Sequence, residues 1–140
     1  MTDKLKQANQ FIRALPHARA LGMELQSLEM GTAIISMPYA ERLIGDPKTG
    51  VVHGGAVSAL MDTACGAAVM SHPSNPAGTA TIDLRIEYLR AATPGQTITT
   101  EATCYHVTRS VAFVRATAHD EDRATPVAMA TGTFTVEGRK

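Results

Sequence analysis

The sequence predicts an α+β domain in which one long antiparallel sheet wraps around a central helix. Three observations carry that expectation. Residues 54–70 are filled with alanine, leucine, methionine and glycine and contain no turn signal over a length that suits a helix. The period then changes to two: in TIDLRIEYL the polar set Thr81, Asp83, Arg85 and Glu87 alternates with Ile82, Leu84, Ile86 and Tyr88. Two strand patterns precede the helix and four follow it, joined by short connections that suit antiparallel hairpins rather than parallel crossovers. A helix apolar nearly all round must be surrounded, and Ala56, Ala59, Ala64, Gly66, Ala67 and Ala68 are small enough to let a curved sheet close on it.

Each element has a local cause. Leu5, Ala8, Ile12 and Leu15 recur at helical spacing until Pro16 interrupts, so residues 3–15 read as an amphipathic helix and 1–21 as that helix with its lead-in. MELQSLEMGTAIISMPY reads as two strands around a turn at Met30-Gly31. The loop ERLIGDPKTG delivers the chain to His53, and SHPSNPAG closes the central helix with two prolines and a glycine. After the alternating strand, TPGQ turns the chain into TITTEATCYHVT, SVAFVRATAHDE and PVAMATGTFTV, three long strands. No repeat and no linker divides residues 1–140, which read as a single domain.

Composition narrows the function. Thirteen basic against thirteen acidic residues leave no net charge, so neither a nucleic-acid surface nor a polybasic membrane anchor is expected, and the partner is a small molecule. The N-terminal segment is charged and amphipathic without an apolar core or cleavage site, and the run around Asp62 is too short for a membrane span. Cys65 and Cys104 sit in apolar runs without metal-ligand spacing, as reduced core residues of a cytoplasmic protein would. No metal site is expected.

Asp62 is the residue that demands an account. A carboxylate on an apolar helix must be paired, hydrogen-bonded, protonated or functional, because an ionised group there is costly. It is either a structural group bonded to backbone donors or to Ser58, or a general base or nucleophile for an electrophilic carbonyl. Gly54 and Gly55 fall at the helix start, where backbone N–H groups lack partners and the dipole favours negative charge; they either form an oxyanion hole or simply permit a sharp turn. His53 suits a brace for that glycine loop. Ser58 lacks the glycines of a nucleophile elbow, Cys65 has no cationic neighbour, and Cys104 with His106 makes only two ligands. Arg90 after its strand, and Arg109 with Ser110 at a hairpin turn, are candidates for phosphate.

The string HGGAVSALMDTA, preceded by GVV and followed by TIDLRIEYLRAATPG, resembles the hotdog-fold acyl-CoA thioesterases of the phenylacetate-degradation type over roughly residues 22–136. The resemblance implies a hotdog fold and hydrolysis of an acyl-CoA to the free acid and coenzyme A. It implies no cofactor, coenzyme A being part of the substrate. It gives Asp62 the catalytic carboxylate role, as base or nucleophile, Gly54 the N–H that polarises the thioester carbonyl, and Thr81 a hydroxyl that helps hold the attacking water. Where the family often has an asparagine in the loop before the His-Gly-Gly, this chain has Asp46 followed by Pro47, and that aspartate is expected at the substrate loop or on His53. Phosphates of coenzyme A fall to Arg90, Arg109 and Ser110, and Gly55 joins Gly54 at the thioester. A medium-chain or aryl-acyl group is expected, in a pocket that methionines make adaptable. Hotdog acyl-thioester hydratases or dehydratases, and a non-catalytic acyl-CoA-binding protein, are the alternatives.

One geometric expectation is independent of the resemblance. Gly54 and Asp62 are eight residues apart on one helix, about 12 Å at 1.5 Å per residue. One thioester cannot easily touch both, so each site should be built from two chains, in a homodimer with interfacial sites. The resemblance implies the same pairing and a dimer of dimers, a homotetramer.

Overall fold

The computed structural model describes residues 3–139. Helices α1 (Asp3–Ala14) and α2 (Pro16–Ala20) lead into β1 (Glu24–Glu29) and β2 (Thr32–Met37). A 3-10 turn (Glu41–Leu43) and the short strands β3 (Ile44–Asp46) and β4 (Val51–Val52) precede the central helix α3 (Gly54–Met70). Strands β5 (Pro76–Gly78), β6 (Thr81–Tyr88), β7 (Ile98–Val107), β8 (Val111–His119), β9 (Ala128–Thr135) and β10 (Glu137–Arg139) follow. Six of the strands form one antiparallel sheet in the order β1-β2-β7-β8-β9-β6, with β1 and β6 at its edges. The central helix and six long strands are those expected, but the TPGQ connection does not close a hairpin: β6 pairs with β9 at the far edge, and β7 lies between β2 and β8. Two pairings add to the expectation, β3 with β4 and β5 with β10, as two-stranded ribbons. β3 and β5 lie in the stretches ERLIGDPKTG and SHPSNPAG, whose Pro and Gly content reads as loop.

The turn between β1 and β2 has positive φ at both central residues, 40° at Met30 and 90° at Gly31, the backbone that a two-residue hairpin of this twist requires. Pro16 does more than interrupt α1. It opens α2 from the first turn, where its missing N–H costs nothing. Of the expected α1 stripe, the side chains of Leu5 and Ala8 lie outside the described residues, Ile12 is buried, and Leu15 is partly exposed.

Alternation fixes which face of the sheet meets α3. Ile98, Thr100, Ala102 and Cys104 of β7 and Ala112, Val114, Ala116 and Ala118 of β8 are buried, their neighbours less so. The alanines of β8 let the helix approach, and Val57, Leu60, Met61, Ala64, Cys65 and Ala68 of α3 are buried against the sheet. Full burial of a residue such as Leu60 or Met61 contributes about 1.5–3 kcal/mol. The opposite face of α3 departs from expectation. Ser58, Ala59, Asp62, Thr63, Gly66 and Ala67 are only half-buried, because the sheet covers one side of the helix and not the other. Edge strand β6 shows the same incompleteness: Leu84 and Ile86 are half-buried, whereas Ile82 and Tyr88 are 55% and 51% exposed. Among the described residues, no helix is long and apolar enough to cross a membrane.

Candidate active site

The first half of the site is the start of α3. Strand β4 ends at His53, whose backbone N–H bonds Leu43 O at 2.7 Å and whose carbonyl accepts from Ala56 N at 3.0 Å. Gly45 makes this crossing possible, since a Cβ there would come within 2.7 Å of His53 Cα. The His53 ring caps the helix by accepting the Gly55 N–H at Nδ1, 2.8 Å, so the ring proton sits on Nε2. Any Cβ on Gly55 would lie 2.9 Å from that nitrogen, so the brace requires glycine. Gly55 N–H is thereby consumed. Gly54 N–H finds no acceptor among the described residues, while Gly54 O accepts the Tyr88 hydroxyl at 2.8 Å. Gly54, Val57, Tyr88 and Ala92 line a cavity of about 260 Å³.

The second half lies two turns along. Asp62 is half-buried, not enclosed as the apolar run had suggested, and its Oδ1 accepts the Thr81 hydroxyl at 2.7 Å. Both residues line a groove of about 650 Å³ whose walls are largely aliphatic and aromatic, with Phe11 of α1, Leu15 between α1 and α2, Leu25, and Phe134 opposite Gly66. Met70 is the methionine of that groove, whereas Met23, Met37 and Met61 are core residues. Strand β6 links the two halves, with Thr81 at its start beside Asp62 and Tyr88 at its end beside Gly54. Within one chain, Gly54 and Asp62 open onto different cavities.

The remaining expected residues divide by location. Asp46 organises the tip of the β3–β4 ribbon, accepting Lys48 N and the Thr49 hydroxyl, both at 3.0 Å; His53 bonds Gly55 instead. Arg90 has all five N–H donors committed: Nη1 to Asp120 Oδ2 at 2.7 Å and Ala91 O, Nη2 to Asp120 Oδ1 at 2.8 Å and Thr125 O, and Nε to Thr125 O. None is left for a phosphate unless that pair breaks. Asp120 is buried and also accepts Thr93 N and Asp122 N; the Arg90 guanidinium first, then these amides, hold its carboxyl well below the usual range against the opposing effect of burial. Arg109 and Ser110 are exposed at the β7–β8 turn. That turn adjoins the Asp62 half, because Ser110 O accepts Val136 N and the preceding Thr135 N bonds Ala80 O, next to Thr81. Ser58 donates to Gly55 O rather than to a histidine. Cys65 is fully buried and pushed up to about 12, by burial first and then by the Asp62 charge and Cys104, so it is no thiolate nucleophile. No cluster of three or more His, Cys, Asp or Glu suited to a metal occurs among the described residues.

Two residues escaped the sequence. Tyr88 passed for the apolar face of a strand, although a tyrosine where a strand leaves its core often anchors its hydroxyl. Asp120 sits in a charged run that reads as a solvated turn.

Comparison with known proteins bears on this geometry. A family model described as the Thioesterase superfamily matches residues 49–127, which run from β4 through α3 to the approach to β9. The medium/long-chain acyl-CoA thioesterase YigI of Escherichia coli K12 is 28% identical over 139 residues, covering 90% of this chain and 88% of its own. A Pseudomonas aeruginosa protein of solved structure is 37% identical with a TM-score of 0.82, covering 94% of this chain and 97% of that one. The PaaI protein from the phenylacetic acid degradation operon of Escherichia coli, 22% identical, superposes with a TM-score of 0.84 over 96% of this chain and 94% of its own. The fold is the expected hotdog fold, a long antiparallel sheet around a central helix.

Proposed function

Because the chain belongs to the thioesterase superfamily, we propose that it hydrolyses acyl-CoA thioesters to the free acid and coenzyme A, at sites shared between two copies of itself. The observation that carries this reading is the Asp62–Thr81 pair at the wall of an apolar groove, a carboxylate set where an acyl chain would deliver its carbonyl. Thr81 bonds one oxygen of Asp62 and leaves the other for a water, which Asp62 activates as general base. Gly54 N–H of the second chain receives the developing oxyanion, and the coenzyme A thiolate departs. A carboxylate, a hydroxyl and an N–H suffice for this chemistry without metal or organic cofactor. Arg109 and Ser110 are the proposed phosphate contacts, while Arg90 braces its own loop. A coenzyme A substrate and two thiols kept as thiols suit the cytoplasm.

The incomplete surfaces support the dimer. Strand β6 has a free edge, and the face of α3 carrying Asp62 is only half-buried. An antiparallel pairing of two β6 edges about a two-fold axis would bring the Thr81 end of one strand beside the Tyr88 end of the other, and with them Asp62 of one chain toward the partner's Gly54. A hydratase is less well supported, since the histidine of the site spends Nδ1 on Gly55.

Incubation with a panel of acyl-CoAs tests the activity: free thiol release is expected, whereas an altered acyl chain on an intact thioester, or binding alone, would contradict hydrolysis. The groove makes its own prediction. A side chain at Gly66 would begin 3.7 Å from the Phe134 ring and grow into the groove. Gly66→Leu should raise KM for long acyl chains by about tenfold and spare short ones, and an unchanged chain-length profile would remove the acyl group from this groove.

A further inference from the structure

We propose that Tyr88 is a positioning residue that fixes the direction of the Gly54 N–H, an inference that rests on the thioesterase reading above. A glycine at the first position of a helix has no Cβ to restrict it, so its N–H is a useful oxyanion donor only if both flanking peptide planes are held. The plane before Gly54 is held by Ala56 N on His53 O, at 3.0 Å. The plane after it is clamped at two points: His53 Nδ1 accepts the Gly55 N–H at 2.8 Å, and the Tyr88 hydroxyl donates to Gly54 O at 2.8 Å. With both planes fixed, φ and ψ of Gly54 follow, and the unpartnered N–H acquires a set direction. The Tyr88 ring also closes over this residue, since a Cβ on Gly54 would meet it at 3.6 Å. Within one chain Tyr88 is 51% exposed and adds little to the core, and the bond its hydroxyl makes is the one to Gly54 O. Histidine and tyrosine thus act as two hands on one peptide, and neither need touch the acyl group.

Tyr88→Phe keeps the ring and removes the hydroxyl. Kinetics with an acyl-CoA substrate should show kcat lowered about tenfold, the scale of effect that a loosened oxyanion donor produces, with KM and the thermal midpoint nearly unchanged. A structural role would instead move the midpoint, and a substrate contact would move KM; either result overturns the inference. Gly54→Pro, which deletes the N–H itself, provides the second arm. It should lower kcat by about a hundredfold or more, and adding Tyr88→Phe to it should cost nothing further, because the group that Tyr88 directs is gone. If Gly54→Pro retains wild-type turnover, the oxyanion reading itself fails. If Gly54→Pro is crippled but Tyr88→Phe turns over normally, or the two losses multiply, only the role of Tyr88 fails.

Discussion

Asp62→Asn abolishes thioester hydrolysis while acyl-CoA still binds. The amide preserves the shape of the carboxylate and can still accept the Thr81 hydroxyl bond, 2.7 Å in the native protein, but it can neither take a proton from water nor attack the carbonyl. Turnover should fall by about a hundredfold or more, the usual scale for losing a general base, with binding of a non-hydrolysable acyl-CoA analogue within a factor of about two and the fold intact. Turnover within about tenfold of wild type, roughly 1.4 kcal/mol of barrier, would make Asp62 a structural group satisfied by Thr81. Single-turnover hydrolysis in ¹⁸O-water tests the nucleophile role: label in the Asp62 carboxylate requires an acyl-Asp62 anhydride opened at the aspartyl carbon, whereas direct attack by water labels the released acid alone.

The second large effect is on stability. Asp120→Ala removes the acceptor for two Arg90 nitrogens and for the amides of Thr93 and Asp122. The carboxylate is buried, but the Arg90 side chain keeps a quarter of its surface exposed, so the remaining charge is partly solvated. The loss should be about 1.5–3 kcal/mol, the scale of hydrogen bonds to a charged group, or about 5–10 °C in Tm for a chain of this size. The pH dependence has a definite sign. Arg90 depresses the Asp120 carboxyl in the folded state, so its stabilisation is complete above the unfolded carboxylate value and is lost as pH falls through the folded one. Wild type should therefore lose stability below about pH 4 more steeply than Asp120→Asn. An Asp120→Ala protein of wild-type Tm, with KM for acyl-CoA raised instead, would return Arg90 to the phosphate.

The parts of this protein legible in the sequence are those set by a period. The run of small apolar residues from Gly54 to Met70 and the two-residue alternation of β6 gave the helix and the strands in chain order, because burial on one face is written directly into spacing, whereas the pairing of β6 with β9 rather than β7 is not. Asp62 stood out as the residue of that run that fits neither pattern, and Gly54 and Gly55 by their place at its start. What stayed hidden depends on partners far apart in the chain. Arg90 looked like a free cation until Asp120, thirty residues on, took its donors. Tyr88 looked apolar until the fold laid it on Gly54. Asp46 looked like a site residue, whereas the bonds it makes are to its own turn. The half-exposure of Asp62 was unreadable as well, because composition shows how apolar a helix is and not how many of its sides are covered.

The shared site is the claim on which the mechanism turns, and mixing two inactive proteins tests it most directly. Gly54→Pro suits the backbone: proline is tolerated at the first helical position, and His53, with φ −59° and ψ 134°, already holds the extended geometry that a residue before proline adopts. Each mixed dimer of Asp62→Asn with Gly54→Pro has one site with both defects and one with neither. After subunit exchange at equal concentrations, verified by differentially tagged chains, activity should rise from near zero to about a quarter of wild type, since half the dimers are mixed and each carries one intact site of two. If the chains exchange and the mixture stays inactive, Gly54 and Asp62 do not serve one thioester from opposite subunits.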